Sequence, residues 1–312
     1  MLKYTAKRLL LLIPILCLVS VIIFIMVRIS QVDPIAVILG GKQTTPAVIQ
    51  SIREKYSLDK PPIMQYFIWI SGIFKGDFGL SFKFQQSVSS LIQDRLPVTL
   101  GLVMLSSLIA VLIAIPVGVV SAIKKNTWVD RSLSVASLIL VSCPVFLTGI
   151  LMILGLAQFF PDFSFTGSFD GFEEYFQRLI LPAIALSFTM IALVSRVTRS
   201  SMIKQLQSNY AMTAVAKGLP LRMVIFKHAF RNALIPVITV ASVQFGAMIV
   251  GAVLVESVFS LPGVGSLLID SIKSSDYPIV QGLTLLLVTV FLVINLLVDI
   301  IYAVVDPRIR LK

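Results

Sequence analysis

Six long apolar runs constrain what this chain can fold into more than any other feature. Leu9–Val27, Thr99–Ile123, Leu133–Phe159, Leu179–Val197, Leu234–Val258 and Ile279–Val305 each come close to, or exceed, the about 20 residues an α-helix needs to cross a bilayer. In hydrocarbon, backbone N–H and C=O groups must be satisfied within the segment itself, so such runs are read as helices. Composition agrees, with 57% apolar residues, 13% charged residues and a mean hydropathy of +0.97. The length alone allows one or two soluble domains, but this composition describes an all-α polytopic membrane protein with six transmembrane helices.

The first run follows Lys3, Lys7 and Arg8, as a secretory signal would. It is long, however, and no small-x-small cleavage pattern precedes Arg28 and Asp33, so residues 1–29 read as a tail and an uncleaved first helix. Residues 30–97 differ in kind. Charges of both signs, Pro34, Pro46, Pro61 and Pro62, and amphipathic stretches at Ala47–Tyr56 and Ile63–Phe74 predict a small folded insert. Residues 98–312 hold the remaining five spans. Pro144 should kink or break the third, and Pro182 falls in the first turn of the fourth.

Charge orients the spans. One set of short segments carries Lys124, Lys125 and Arg131, the cations of residues 199–233, and Arg308, Arg310 and Lys312. The other set carries Asp162, Asp170, Glu173, Glu174, Asp270 and Asp276 against only Arg178 and Lys273. The excess of Lys and Arg marks the cytoplasmic side, so both termini are expected inside and the insert outside. The formal charge of +11 is explained by this topology and by anionic headgroups of membrane lipid, not by nucleic acid.

The most informative polar stretch is Asn209-Tyr-Ala-Met-Thr-Ala-Val-Ala-Lys-Gly-Leu-Pro220, running on to Arg231-Asn-Ala-Leu-Ile-Pro236. On a helix Ala211, Ala214 and Gly218 form one small-residue face, which lets a backbone approach a partner closely. Gly218 and Pro220 should end that helix or turn it sharply, while Lys217, Arg222, Lys227, His228 and Arg231 supply positive charge. The sequence predicts a short docking helix outside the bilayer, its small face turned to a partner.

Ala211-x-x-Ala214-x-Ala216-Lys217-Gly218 with Arg231-Asn-Ala-Leu-Ile-Pro236 resembles the EAA loop of ABC importer permeases. More narrowly it resembles the first permease of the oligopeptide/dipeptide/nickel group. So do Leu58-Asp-Lys-Pro-Pro62, Gln65-Tyr66, Gly76-Asp-Phe-Gly-Leu-Ser81, Ser260-Leu-Pro-Gly-Val-Gly265 and Asp276-Tyr-Pro-Ile-Val-Gln-Gly282. The resemblance implies a type I ABC importer permease-like fold. It also implies an ATPase-coupling site at Asn209, Tyr210, Ala211, Ala214, Lys217, Gly218, Leu219 and Pro220. Its partners would be a second homologous permease, two ATPase subunits carrying ATP and Mg, and an extracytoplasmic substrate-binding protein, all at a bacterial cytoplasmic membrane. The family's eponymous acidic position is occupied here by Asn209-Tyr210.

The chain lacks the residues for catalysis of its own. There is no G-x-x-x-x-G-K-[ST] loop, and Gly118, Gly149 and Gly155 sit in apolar spans without phosphate-cradling context. No carboxylate pair or Ser/His/Asp arrangement is evident, and a lone His228 cannot make a zinc site. Cys17 and Cys143 read as small buried hydrophobes. Arg28, Arg196, Glu256 and Asp299 lie near span ends, where snorkelling is expected. Gln244 and Asn295 lie deeper, as interhelical hydrogen-bonding groups or as lining of a substrate pathway. The leading expectation is the permease subunit of an ATP-driven importer of oligopeptides or dipeptides. Nickel or a metal chelate is the second substrate class. A self-contained ion-coupled carrier or channel, or a scaffold or sensor, would be different classes of protein. The carrier would call for paired intramembrane charges or half-helix repeats that the sequence does not show.

Overall fold

The structure, a computed structural model, describes residues 2–29, 32–40, 42–159 and 171–305. Asp162, Asp170, Arg308, Arg310 and Lys312 lie outside the described residues, as do the side chains of Lys3, Lys7, Arg8, Glu173 and Asp299. Apart from an isolated bridge between Leu80 and Ser87, the described regular structure is helical. The first span is α1 (Leu2–Ile29). The insert contains α2 (Pro34–Leu39), α3 (Pro46–Lys55) and α4 (Pro62–Phe74), each opened by a proline where a helix has no use for that N–H. The bundle continues as α5 (Val88–Ile123), α6 (Trp128–Ser142), α7 (Val145–Ala157), α8 (Phe172–Leu206) and the short α9 (Asn209–Ala216). It closes with α10 (Leu221–Met223), a π-helical turn over Val224–Ala229, α11 (Phe230–Val258), α12 (Val264–Lys273) and α13 (Tyr277–Val305).

Among the described residues, five helical stretches are long and apolar enough to cross a membrane, and a sixth span arises if α6 and α7 count as one. Those two meet at an angle of 104° across Cys143-Pro144. Proline removes the N–H and clashes with the preceding turn, and here the result is a break rather than a kink. Other boundaries moved. Helix α5 starts at Val88, so a division at residues 97/98 falls inside a continuous helix. Helix α8 starts at Phe172, which puts Pro182 in its interior rather than its first turn. Cys17 is exposed on α1 and Cys143 half-buried; both are free thiols.

Lipid tails are as apolar as leucine, so helices in a bilayer associate through close packing and polar contacts. The seam between α5 and α8 does this with small residues. Ala110, Ala114, Gly118 and Ala122 repeat every fourth position on α5, and all are buried. They meet a face of α8 that includes Ala183, Ser187, Val194, Ser195 and Thr198, also buried. At Gly118 a Cβ would stand 2.4 Å from Thr198 Cβ and 2.6 Å from the Ser195 carbonyl oxygen, so the two backbones can approach only because it is glycine. Helix α11 packs on the same core through Val237, Met248, Ile249, Ala252, Val255 and Phe259.

Gly118→Leu should therefore force the seam apart and cost toward the upper end of the about 1–3 kcal/mol typical of overpacking. The measurement is the thermal midpoint of the purified chain in detergent. Gly155→Leu is the control, since a Cβ at Gly155 meets nothing within 4 Å. Equal midpoints for the two variants would disprove the close-packing account.

Candidate functional site

The polar stretches singled out in the sequence gather at opposite ends of the bundle. Helix α11, 29 residues long, separates them by about 1.5 Å per residue, or roughly 43 Å.

At the first end lies α9. Eight residues are too few to hold a helix alone, and tertiary contacts supply the rest. Ala211 and Ala214 are 1% and 8% exposed, packed against Val224 with Leu219 alongside. This corrects the orientation expected from the sequence: the small alanine face is turned inward, letting α9 lie close on the π-helical turn. That turn places Val224 and Ala229, five residues apart, on one buried line. The outward face is Met212 and Val215, with Leu221, Met223 and Phe226 beside it, all exposed. These residues were missed, although their spacing opposite the alanines was readable. Gly218 has φ +77°. Its N–H donates to the Val215 carbonyl at 2.9 Å and the Leu219 N–H to Ala214 at 3.2 Å, a Schellman cap with Leu219 folded back on the alanines. A Cβ on Gly218 meets nothing within 4 Å, so its surface is open.

Tyr210 fastens this helix. Its hydroxyl donates to Gln205 Oε1 at 2.7 Å and accepts from Asn232 Nδ2 at 3.2 Å. One side chain thus joins the end of α8, α9 and the start of α11. Lys217, Arg222, Lys227 and Arg231 are exposed around it, and His228 is half-buried. Residues 199–206 and 221–233, expected to belong to the loop, are instead helical continuations of α8 and of the stretch leading into α11. Next to this end the buried Asp130 receives a bidentate pair from Arg199, Nε at 2.6 Å and the NH2 nitrogen at 2.7 Å. It also accepts from Ser121 Oγ at 2.5 Å and the Asn126 N–H at 2.9 Å. Asp130 ties α5, α6 and α8 together.

At the other end Glu256 contradicts its reading as a snorkelling span-end charge. It is 0% exposed and accepts from Thr99 Oγ1 at 2.5 Å, the Gly265 N–H at 2.7 Å and the Ser266 N–H at 3.1 Å. The carboxylate caps the N-terminus of α12, where unpaired N–H groups and the helix dipole favour an anion. The motif Leu-Pro-Gly-Val-Gly265 has a steric reason. A Cβ on Gly263 would fall 2.2 Å from Glu256 Cδ, and one on Gly265 2.4 Å from Val253 Cα. Asp276, equally buried, accepts from Ser81 Oγ at 2.5 Å and from the N–H groups of Phe82 and Lys83 at 3.1 and 3.0 Å. Two motifs nearly two hundred residues apart, 76–81 and 276–282, are thereby one structure, with Phe78 in contact range of Gly282.

Gln244 and Asn295 are both half-buried and are not hydrogen-bonded to one another. Asn295 Oδ1 and Phe291 instead lie against Gly246, within 3.4 Å of where a Cβ would sit. No group of three or more potential metal ligands occurs among the described residues.

Comparison with known proteins agrees with this architecture. Residues 114–311 match the family described as binding-protein-dependent transport system inner membrane component, and residues 1–103 match its N-terminal membrane component. The chain is 38% identical over 310 residues to a protein of Sinorhizobium fredii named "Probable peptide ABC transporter permease protein", covering 98% of this chain and 99% of that one. It is 38% identical over 312 residues to the glutathione transport system permease protein of Escherichia coli strain K12, covering 100% of both. A solved amino acid ABC transporter with histidines shares the fold at TM-score 0.56 and 16% identity, over 69% of this chain and 94% of that one.

The Glu256 knot yields a stability prediction. Glu256→Leu leaves the Thr99, Gly265 and Ser266 donors buried without an acceptor, at about 1–3 kcal/mol each before relaxation. The variant should melt earlier and expose residues 259–276 to protease. Thr99→Val, which removes one donor together with its acceptor role, should cost less. A Glu256→Leu chain as stable and protease-resistant as the parent would overturn the capping role.

Proposed function

Because the chain belongs to the family of binding-protein-dependent transport system inner membrane components, a non-catalytic permease of ABC importers in the bacterial inner membrane, we propose that it carries short peptides. It acts with an ATPase and a substrate-binding protein, as membership of that family implies. The single observation that carries the substrate class is similarity along the whole chain to permeases named for peptide and for glutathione. Nothing in the structure favours nickel or a metal chelate over this reading. A second homologous permease and two copies of the ATPase, the latter holding ATP and Mg, complete the assembly in this proposal.

The residues at the α9 end take the coupling role. Met212 and Val215 enter the ATPase cleft, with Asn209, Tyr210, Lys217, Gly218, Leu219 and Pro220 around them. Ala211 and Ala214 hold α9 to its own chain. Closure of the ATPases would then push α9, and through Tyr210 both α8 and α11, so that the two permeases rock between inward- and outward-open states. The α9 end is cytoplasmic in this proposal and the insert, residues 30–87, faces outside and receives the binding protein. The cations around α9 and the acidic residues Asp270 and Asp276 at the far end support that orientation. Gln244 and Asn295 line the pathway, since neither is consumed by a bond to the other.

Met212→Glu and Val215→Glu should abolish co-purification of the ATPase and peptide uptake without lowering the melting temperature, because both residues are exposed in the chain itself. Gly218→Leu should impair coupling through its positive φ, a cost of about 1–2 kcal/mol for a residue with a Cβ, and through the bulk it adds to the open surface. Lys217→Ala should matter less, as rim charges usually do. Normal ATPase recovery and uptake in all three disruptive variants would remove α9 from the coupling interface. Transport assays with the cognate binding protein, comparing short peptides with nickel, test the substrate.

The orientation has its own test. A cysteine placed at Ser51, which is exposed on α3, should react with an impermeant maleimide in intact spheroplasts. Reaction only after permeabilisation would invert the topology.

A further inference from the structure

Helix α4 is chemically out of place in a water-facing insert. Its thirteen residues, PIMQYFIWISGIF, contain no charged side chain. At about 1.5 Å per residue it is roughly 20 Å long, too short to cross a bilayer. Yet Ile63, Phe67 and Phe74 are 73%, 63% and 87% exposed. Lysines bracket it at Lys60 and Lys75, and Tyr66 and Trp69 give it amphipathic aromatic rings. Apolar exposure, aromatic rings and flanking lysines together are the signature of a helix lying in the plane of a membrane interface.

Its contacts fix the depth. The Ser20 hydroxyl pairs with the Tyr66 hydroxyl at 2.8 Å, and Phe24 packs edge-on against Tyr66 and stacked on Trp69 at centroid distances of 5.3 and 6.1 Å. Arg28 donates to Gln65 Oε1 and lies over the Phe24 ring at 4.4 Å. Ser20 sits nine positions before the end of α1 at Ile29, about 14 Å down a membrane-spanning helix. A helix that touches α1 at Ser20 therefore reaches below the headgroups. Between the two helices runs a groove of about 470 Å³, within the range of ordinary ligand sites. Val21 and Ile25 of α1 and Pro62, Ile63 and Phe67 of α4 line it, and Arg28 stands at its margin. The groove is continuous with the exposed flank of α1, where Val21, Ile22, Ile25 and Met26 form the lipid-facing surface of a span.

We infer that the α1–α4 groove is a phospholipid site: one acyl chain lies between the helices, the phosphate meets Arg28, and α4 is embedded in the leaflet on the insert side. The occupant follows from the lining. An apolar channel open to the hydrocarbon along one flank admits a chain that is already there, and a guanidinium at its margin complements a phosphate. A peptide substrate, with its many unsatisfied backbone groups, would find along this wall only the Arg28 guanidinium and the Tyr66 hydroxyl, the latter already paired with Ser20. The inference depends on α1 crossing the membrane and not on what the transporter carries.

The test uses the assembled transporter, the full chain with its cognate subunits, in vesicles doped with a phosphatidylcholine whose acyl chain bears a photoactivatable diazirine. After irradiation, adducts are mapped by peptide mass spectrometry. The expected result is enrichment of adducts on the peptides containing Val21–Ile25 and Ile63–Phe67 over other lipid-facing segments. Unlabelled phosphatidylcholine should compete, and a galactolipid lacking phosphate should compete less. Arg28→Gln should weaken the phospholipid's advantage over the galactolipid roughly fivefold. Labelling in the isolated chain that vanishes in the assembly would show that a partner subunit covers the groove. Adducts spread evenly over all spans, or an unchanged preference in Arg28→Gln, would equally overturn the site. A loss of transport with the lipid adducts intact would count against the proposed function and leave this site standing.

Discussion

The seam between α5 and α8 is the contact on which everything else hangs. Water drives soluble helices together, but inside a bilayer that force is absent, and helices separate unless their backbones can approach closely. Ala110, Ala114, Gly118 and Ala122 remove side-chain bulk along one line of α5, and small residues of α8 answer them. Both ends of the molecule are then built on the ends of this pair. Thr99, near the start of the seam, reaches Glu256. Ser121, at its other end, reaches Asp130 together with Arg199. Of these contacts, the Arg199–Asp130 pair is the one that involves α8 itself.

Three buried carboxylates finish what close packing begins. Taking an ionised carboxylate out of water costs several kcal/mol even after relaxation, so each of these must be compensated locally. Asp130 is offset by a bidentate guanidinium, whereas Glu256 and Asp276 are met mainly by backbone N–H groups and one hydroxyl each. The difference matters for what they join. An arginine on α8 links helix to helix. Backbone donors instead link a side chain to a turn, and so Glu256 fixes the entry to α12 while Asp276 fixes the segment 81–83 of the insert.

Helix class was legible because apolar runs of spanning length have no other solution in hydrocarbon, and the helices α3 and α4 were legible from proline starts and amphipathic spacing. What escaped was less conspicuous. The fourfold small-residue stripe on α5 was present in the sequence but hidden among other apolar letters. Helix ends at Ser57, Ser260 and Ser275 adopt φ of +56°, +52° and +55°, and serine, unlike glycine, announces no such turn. Charges near span ends were read from position alone, and position cannot distinguish a snorkelling side chain from Glu256, whose donors come from residues that only folding brings near. The alanine face of α9 was recognised correctly as a surface of close approach. Its partner was misassigned, because a small face fits the chain's own π-helical turn as well as it fits another subunit.

In the proposed coupling role, that reassignment makes α9 a better lever. A short helix presenting its small face to a partner would be held by that partner and could swing on its own loop. With Ala211 and Ala214 seated on Val224, Leu219 closing the cap and Tyr210 bonded to both Gln205 and Asn232, α9 has no independent freedom to absorb a displacement. In that proposal a push on Met212 or Val215 is delivered to the ends of α8 and α11 at once. Tyrosine at this position joins the two helices through two neutral hydrogen bonds, and the cations nearby, Lys217, Arg222, Lys227 and Arg231, are left exposed. Each neutral bond contributes only about 1 kcal/mol, but they act at two points on different helices, and rigidity depends on that geometry more than on the strength of either bond. The fastening at Tyr210 is therefore neutral and directional, little sensitive to salt, and holds α8, α9 and α11 together at fixed points.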